Sequence, residues 1–366
     1  MQGFCQNVIN TFAEVKQNST YLAGLLLHAG RKTCASMARG LSVPVKRFYN
    51  FFEDATTNVT LIRTKLISLA RELNPTEEFR VLVIDGTDLA KVFAKHIDHL
   101  STDYDGVIRR VTQGLSIMVA GLVTSGNMVP LDFLFWHNKK KAAGKTVKKY
   151  AKKKSKTKKK ADANYKTKVE LAIELIAAYK DLVFFAYVAM DGAFASNSMI
   201  IFLETEKLKY SMRIARSRKV TINGIEAKLC EHPALKLVRN ERSKTASGLY
   251  KANVCFFTIH KRKKRGGGWE TIFLVSNMKL SAKGHVEAYN RRWTIDKSFR
   301  SMKQYLGLKD CQMLSGVQQT LHILSVFLAY ALATAQKVAY KKKSVEEILG
   351  EWRSSKKIQN ISGLID

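Results

Sequence analysis

The chain is poor in the features that cross-link a small fold or bind a soft metal. Its five cysteines, Cys5, Cys34, Cys230, Cys255 and Cys311, are scattered, odd in number and never form a C-x-x-C pair. That excludes a disulfide framework and a structural zinc site. Long uninterrupted apolar runs are few. The longest, residues 321–335, runs for about 15 residues, carries His322 and reads as a buried core helix. The opening MQGFCQNVINTF has no basic segment leading into an apolar one, so it is not read as a signal peptide, and an intracellular location is expected.

Acids are scarce as well. Thirty Asp+Glu stand against 62 Lys+Arg, a net charge of +32 at pH 7. Residues 139–160 hold 13 lysines and no acid, and removing them still leaves +19, so the cationic bias belongs to the whole protein. A polyanion is the implied partner, and nucleic acid is favoured because no basic amphipathic helix of membrane-surface type stands out. A nucleotide loop is absent too. GKT at 144–146 is the tail of one, but residue 139 is lysine where glycine is needed.

Residues 1–75 read as all-helical, and residues 31–52 as a helix-turn-helix whose second helix bears Lys46 and Arg47 for DNA. From residue 79 the period changes. RVLVIDGTD (80–88) is a β-rich run, apolar on both faces, read as a central strand with the carboxylate of Asp85 at its end, followed by Gly86. Residues 113–123 and 128–136 form a hairpin around Ser125-Gly126. The lysine segment 139–160 is too densely charged to pack. A helix over 163–180 leads into a second doubly apolar strand, 182–192, which ends in Asp191-Gly192. A helix over 196–208 and a strand over 210–216 follow, then strands over 220–229, 235–239, 249–260 and 269–276. The tip KRKKRGGG of the last hairpin carries five cations, suited to phosphate or to a solvated turn.

Residues 281–303, SAKGHVEAYNRRWTIDKSFRSMK, contain no proline, begin at an N-cap serine and read as one helix. Tyr289, Arg292, Asp296, Arg300 and Lys303 recur every three or four residues and form one stripe. An apolar helix over 314–339 and a polar tail complete the chain.

Asp85 and Asp191 can converge with Asp296 if their strands are neighbours. Three carboxylates without His or Cys suit two Mg2+ ions, which prefer oxygen ligands and support in-line phosphoryl transfer. Each acid also has a plain reading. Asp before Gly is a turn former, Asp88 competes with Asp85, and Asp296 could simply pair with Arg292 or Arg300. The polar run His96, Asp98, His99, Asp103 and Asp105 lacks a second His-rich partner and is not read as a zinc site.

The spacing Tyr289-x2-Arg292-x3-Asp296-x6-Lys303 resembles the Y-R-E-K signature of bacterial DDE insertion-sequence transposases, with IDGTD and AYVAMDG as the two aspartate strands. The resemblance covers roughly residues 30–335. It implies an α/β (α+β mixed) fold: a helical DNA-end-binding domain (1–75), a ribonuclease H-like core in two parts (76–218 and 279–340), a β-rich insertion (219–278) and a C-terminal tail (341–366). It makes Asp85, Asp191 and Asp296 the metal and catalytic residues, and puts Tyr289, Arg292 and Lys303 on phosphates at the element's end; Arg300, on the same stripe, is taken as a further DNA contact. It also implies Mg2+ with Mn2+ as substitute, double-stranded DNA at the element's terminal repeats and target, a homodimeric synapse, and a bacterial cytoplasmic protein with no membrane partner. The family's third carboxylate is Glu where this chain has Asp296, one methylene shorter. A decayed, DNA-binding descendant is the alternative reading.

Overall fold

The computed structural model describes residues 19–72, 80–105, 110–138, 165–264, 266–342 and 344–354; the lysine segment 139–160 lies outside them. Four helices come first: α1 (Ser19–Leu27), α2 (Cys34–Leu41), α3 (Lys46–Asn50) and α4 (Ala55–Glu72). Thr33 caps α2 by accepting the Ser36 N–H, and Ser42 ends it in the left-handed conformation, φ 56°. The helix-turn-helix reading thus meets two helices joined by a turn, the second only five residues long.

A single mixed sheet follows. Its strands are β1 (Val81–Ala90), β2 (Ser101–Asp105), β3 (Arg110–Thr124), β4 (Asn127–Trp136), β5 (Tyr187–Met190), β6 (Tyr210–Arg213), β7 (Lys219–Ile222), β8 (Ile225–Lys228), β9 (Ser243–Tyr250), β10 (Asn253–Lys263) and β11 (Trp269–Ser276). The order is β2-β3-β1-β5-β6-β11-β10-β9-β7-β8, with β4 on β3. β1, β3 and β4 pair antiparallel, while β1, β5 and β6 run parallel. The parallel strands are connected through α5 (Lys168–Tyr179) and α6 (Asn197–Thr205). Both faces of β1 and β5 are covered, which is why they read as continuous apolar runs.

The later strands extend this same sheet through β11, which pairs with β6. Residues 220–229 are a hairpin rather than one strand. Asn223 and Gly224 both take positive φ (52° and 77°), the turn that matches strand twist. Residues 235–239 are not a strand either: a 3₁₀ turn at Pro233–Leu235 ends in irregular chain. The 249–260 prediction spans two strands, β9 and β10, which meet at Tyr250 and Asn253.

The stretch 281–303 is two helices, α7 (Ala282–Asn290) and α8 (Trp293–Tyr305). Ser281 caps α7 as predicted, accepting the Gly284 N–H. Between the helices, Arg292, Thr294 and Ile295 donate to carbonyls three residues back, so a tight 3₁₀ turn interrupts the α pattern without leaving helical dihedrals. Helix α9 (Gly316–Ala339) is long and apolar enough to cross a membrane by composition, yet most of it is buried inside the fold. It packs against α1, α4 and β4. The tail folds back as α10 (Val345–Ser354), burying Ile348 and Leu349.

One polar junction ties the first helices to the sheet. Asp132 on β4 accepts from Nη2 of Arg63 of α4 (3.2 Å), with which it forms an ion pair, and from the Tyr179 hydroxyl of α5 (3.1 Å). The backbone N–H of Phe133 also donates to Asp132 Oδ1 at 2.8 Å, so both oxygens of this buried carboxylate are hydrogen-bonded.

Candidate active site

Register places the first two acids side by side. Ile84 pairs with Met190 across the parallel strands β1 and β5, and the next residue on each strand is an aspartate, Asp85 and Asp191. Neighbouring strands lie about 4.8 Å apart. β5 ends at Met190, whereas β1 continues to Ala90 against β3 alone. Asp85 is therefore not at a strand end, as the sequence suggested. It stands where β1 loses its parallel neighbour, and that opening admits side chains from the α7–α8 segment. Asp88, three residues on, falls on the opposite face of the strand from Asp85 and accepts from the Ser116 hydroxyl at 2.6 Å.

Arg292 fills the opening. Its Nη1 lies 2.6 Å from Asp85 Oδ2 and its Nη2 3.2 Å from Asp296 Oδ2. The tight turn between α7 and α8 sets this arginine against the sheet, with the ring of Tyr289 on one side and that of Trp293 on the other, centroids 5.7 and 5.6 Å from the guanidinium carbon. The Tyr289 hydroxyl donates to Asp191 Oδ1 at 3.2 Å. Two side chains of one short segment thus join all three aspartates.

The electrostatics follow from burial. Desolvation pushes Asp85 up to about 6; Arg292 and the Gly86 N–H oppose it, while Asp296 and Asp191 add to it. Asp296 is raised for the same leading reason, with Arg292 opposing. Burial alone would lower the Arg292 guanidinium, but Asp85, Tyr289, Asp296 and Asp191 outweigh it and raise it. Its Nε is buried without a hydrogen-bond partner among the described residues.

Other predicted residues lie elsewhere. Arg300 is exposed on α8 and its charge acts on Glu346 of α10; Lys303 is half-buried one turn further on. Lys46 and Arg47 are exposed on α3, in the first helical unit. The polar run after β1 is used structurally: Asp98 accepts the Gly316 N–H at 2.9 Å, and His99 stacks on Phe135 at 4.1 Å. Sequence reasoning missed Arg262. Paired across the β10–β11 hairpin with Glu270 at 3.1 Å, it lies 5.7 Å over the Trp293 ring and links the later strands to the site. The signal was available, since Arg262 and Glu270 are cross-strand partners once the hairpin is drawn.

Among the described residues, no group of three His, Cys, Asp or Glu side chains is gathered closely enough to hold a metal ion. Asp85 and Asp296 are spread around the guanidinium, and Asp191 is engaged by Tyr289. The donor chemistry still fits a hard divalent cation. All three are carboxylates, and two of them pair with one guanidinium while the third takes a phenol hydrogen bond; among the described residues no imidazole or thiolate is paired with them.

Two family models match. One, described as DDE superfamily endonuclease, covers residues 8–234 and so includes Asp85 and Asp191. The other, described as Transposase DDE domain, covers residues 157–332 and includes Asp191 and Asp296. No curated protein matches the chain.

Proposed function

The chain belongs to the DDE superfamily of endonucleases, and from that membership we propose that it is a transposase that cuts the ends of its own insertion element and joins them to target DNA. The observation that carries the reading is the joining of Asp85, Asp191 and Asp296 through Arg292 and Tyr289 at the edge where β5 ends. In this reading the sheet strands β1, β3, β4, β5 and β6 are a ribonuclease H-like core, the strands beyond β6 are its insertion, and the first helices bind the element ends, with α3 presenting Lys46 and Arg47.

The three aspartates would hold divalent ions, Mg2+ with Mn2+ as substitute. Such ions supply activation of an attacking oxygen and stabilisation of the leaving one. Arg292 balances the buried carboxylates until DNA arrives, and its unpartnered Nε leaves a donor for a phosphate oxygen. Tyr289 orients Asp191. Arg300 and Lys303, further along α8, extend the cationic line from the site towards flanking phosphates. Two copies act together at paired ends. Asp296 stands where the resembling family carries Glu; at 42% side-chain exposure it has room to move on its helix.

The test is a cleavage assay on DNA carrying the inverted repeats that flank the gene, with Mg2+ or Mn2+. Metal-dependent nicking at the repeat boundary is the expected result. Binding without nicking under both metals would overturn the enzyme reading.

A further inference from the structure

A second polar site lies away from the aspartates, where the first helices meet the segment leading into α9. A cavity of about 110 Å³ is lined there by Tyr21, Lys32, Thr33, Tyr49, Cys311 and Gln312, among others. Lys32 is 2% exposed, and its Nζ is buried without a hydrogen-bond partner among the described residues. Its stem is held in place: Gly307 adopts φ +70°, and a Cβ there would come within 2.3 Å of Lys32 Cγ. Asp310 meets Lys32 through the backbone instead: its Oδ2 accepts the Lys32 N–H at 2.9 Å. Tyr49 forms the rim. It is 48% exposed and sits on α3, two residues after Arg47.

We propose that this cavity is an oxyanion site in which Lys32 receives a phosphate group, supplied by a DNA backbone lying along α3 or by a free phosphate ion. Buried amines without partners are rare in folded proteins, and a cavity with a fixed cation in its wall has the complement such an anion needs. Burial and the charge of Arg353 lower the Lys32 ammonium to about 7, opposed by Asp310. A bound anion would hold it protonated. The DNA source rests on the reading of the first helices as DNA-binding; the free-ion source does not.

The experiment uses the full chain and its Lys32→Met variant, an apolar near-isostere. Thermal unfolding is followed in inorganic phosphate and in chloride at equal ionic strength. Phosphate should raise the wild-type midpoint by at least about 2 °C over chloride and leave the variant unmoved. Binding to a random-sequence duplex is then measured against salt. If DNA is the source, the variant's slope of log K on log salt falls by about 0.9; an unchanged slope with the phosphate response intact in the wild type assigns the site to the free ion. Equal phosphate responses in both proteins, or none in the wild type, together with equal slopes, would overturn the site and mean that the cavity holds water. Should the variant fail to fold, an absent phosphate response in the wild type alone overturns it. Cleavage by the wild type remains a separate readout, so the catalytic reading stands or falls independently.

Discussion

Arg292 and Asp85, 207 residues apart in sequence, form the shortest ion pair of the site at 2.6 Å, and the same guanidinium reaches Asp296 at 3.2 Å. A cation is thus already seated among the acids. Its position links the fold of the α7–α8 segment to the chemistry proposed for the aspartates.

The first consequence concerns the acids themselves. Asp85→Asn and Asp191→Asn each keep size and shape and remove a negative oxygen. Cleavage should fall by at least about 100-fold, the scale that follows from misplacing a reacting group, while duplex binding in a gel-shift assay stays within a few-fold. Equal losses of binding and cleavage would show that the two residues serve the fold.

Removing the guanidinium should expose the competition between it and metal. Arg292→Ala leaves Asp85 and Asp296 without their shared partner, and breaking such a buried pair costs about 3–5 kcal/mol when fully enclosed, less here because Asp296 is part-exposed. Thermal unfolding without DNA should show a lower midpoint for the variant and a larger rise on adding Mg2+ than in the wild type. An equal response to Mg2+ in both proteins would mean that Arg292 does not stand in a metal's place.

His322 gives the pH dependence a defined sign. It is buried on α9, with Nδ1 2.7 Å from the Tyr21 hydroxyl and Nε2 3.0 Å from the Gly307 carbonyl. Burial lowers it to about 4, helped by Lys91. Below its ordinary value of 6.5 the unfolded chain takes up a proton that the folded chain refuses, so this contribution to stability is present above pH 6.5 and is lost as pH falls towards 4. Asp85 acts oppositely: raised to about 6, it favours the folded state at low pH and loses that contribution as pH rises from 4 to 6. The two are separated by comparison with His322→Gln, which can still accept from Tyr21 and donate to Gly307. Urea unfolding at pH 7 and pH 5 should show the wild type losing about 2 kcal/mol more than the variant. Parallel losses would exclude His322 as the titrating group.

The Asp132 junction should behave as structure alone. Arg63→Met removes the cation that α4 offers to Asp132 and should destabilise the chain by about 1–2 kcal/mol, less than for a fully enclosed pair because the Arg63 side chain is 38% exposed, loosening the first helices from the sheet. Limited proteolysis between α4 and β1 would report it, with the cleavage activity of the folded fraction unchanged. A selective loss of activity at unchanged stability would contradict this assignment.

Much of the part that carries the three aspartates was legible because its signals are local. The strands bearing Asp85 and Asp191 announce themselves as doubly apolar runs broken by Asp-Gly, and Ser125-Gly126 marks the β3–β4 turn, where both residues take positive φ. Asn223-Gly224 carries the same signal, yet the reading of 220–229 as one strand passed over it. The tail was dismissed for its polarity, although Val345, Ile348 and Leu349 recur at helical spacing and α10 buries them.

Composition and pattern by themselves determined that this is a cationic α/β protein, which acids could act together, and that Ser281 begins a helix. Only the tertiary structure decided that the helix breaks at Arg291 and Arg292, that β1 runs on past its parallel neighbour, and that Arg292 faces the aspartates. The physical reason is range. A strand's apolar alternation or a helix cap is set by residues a few positions apart, whereas the break is held by an ion pair to Asp85 across 207 residues, and no property of the sequence around Arg292 encodes where β5 ends.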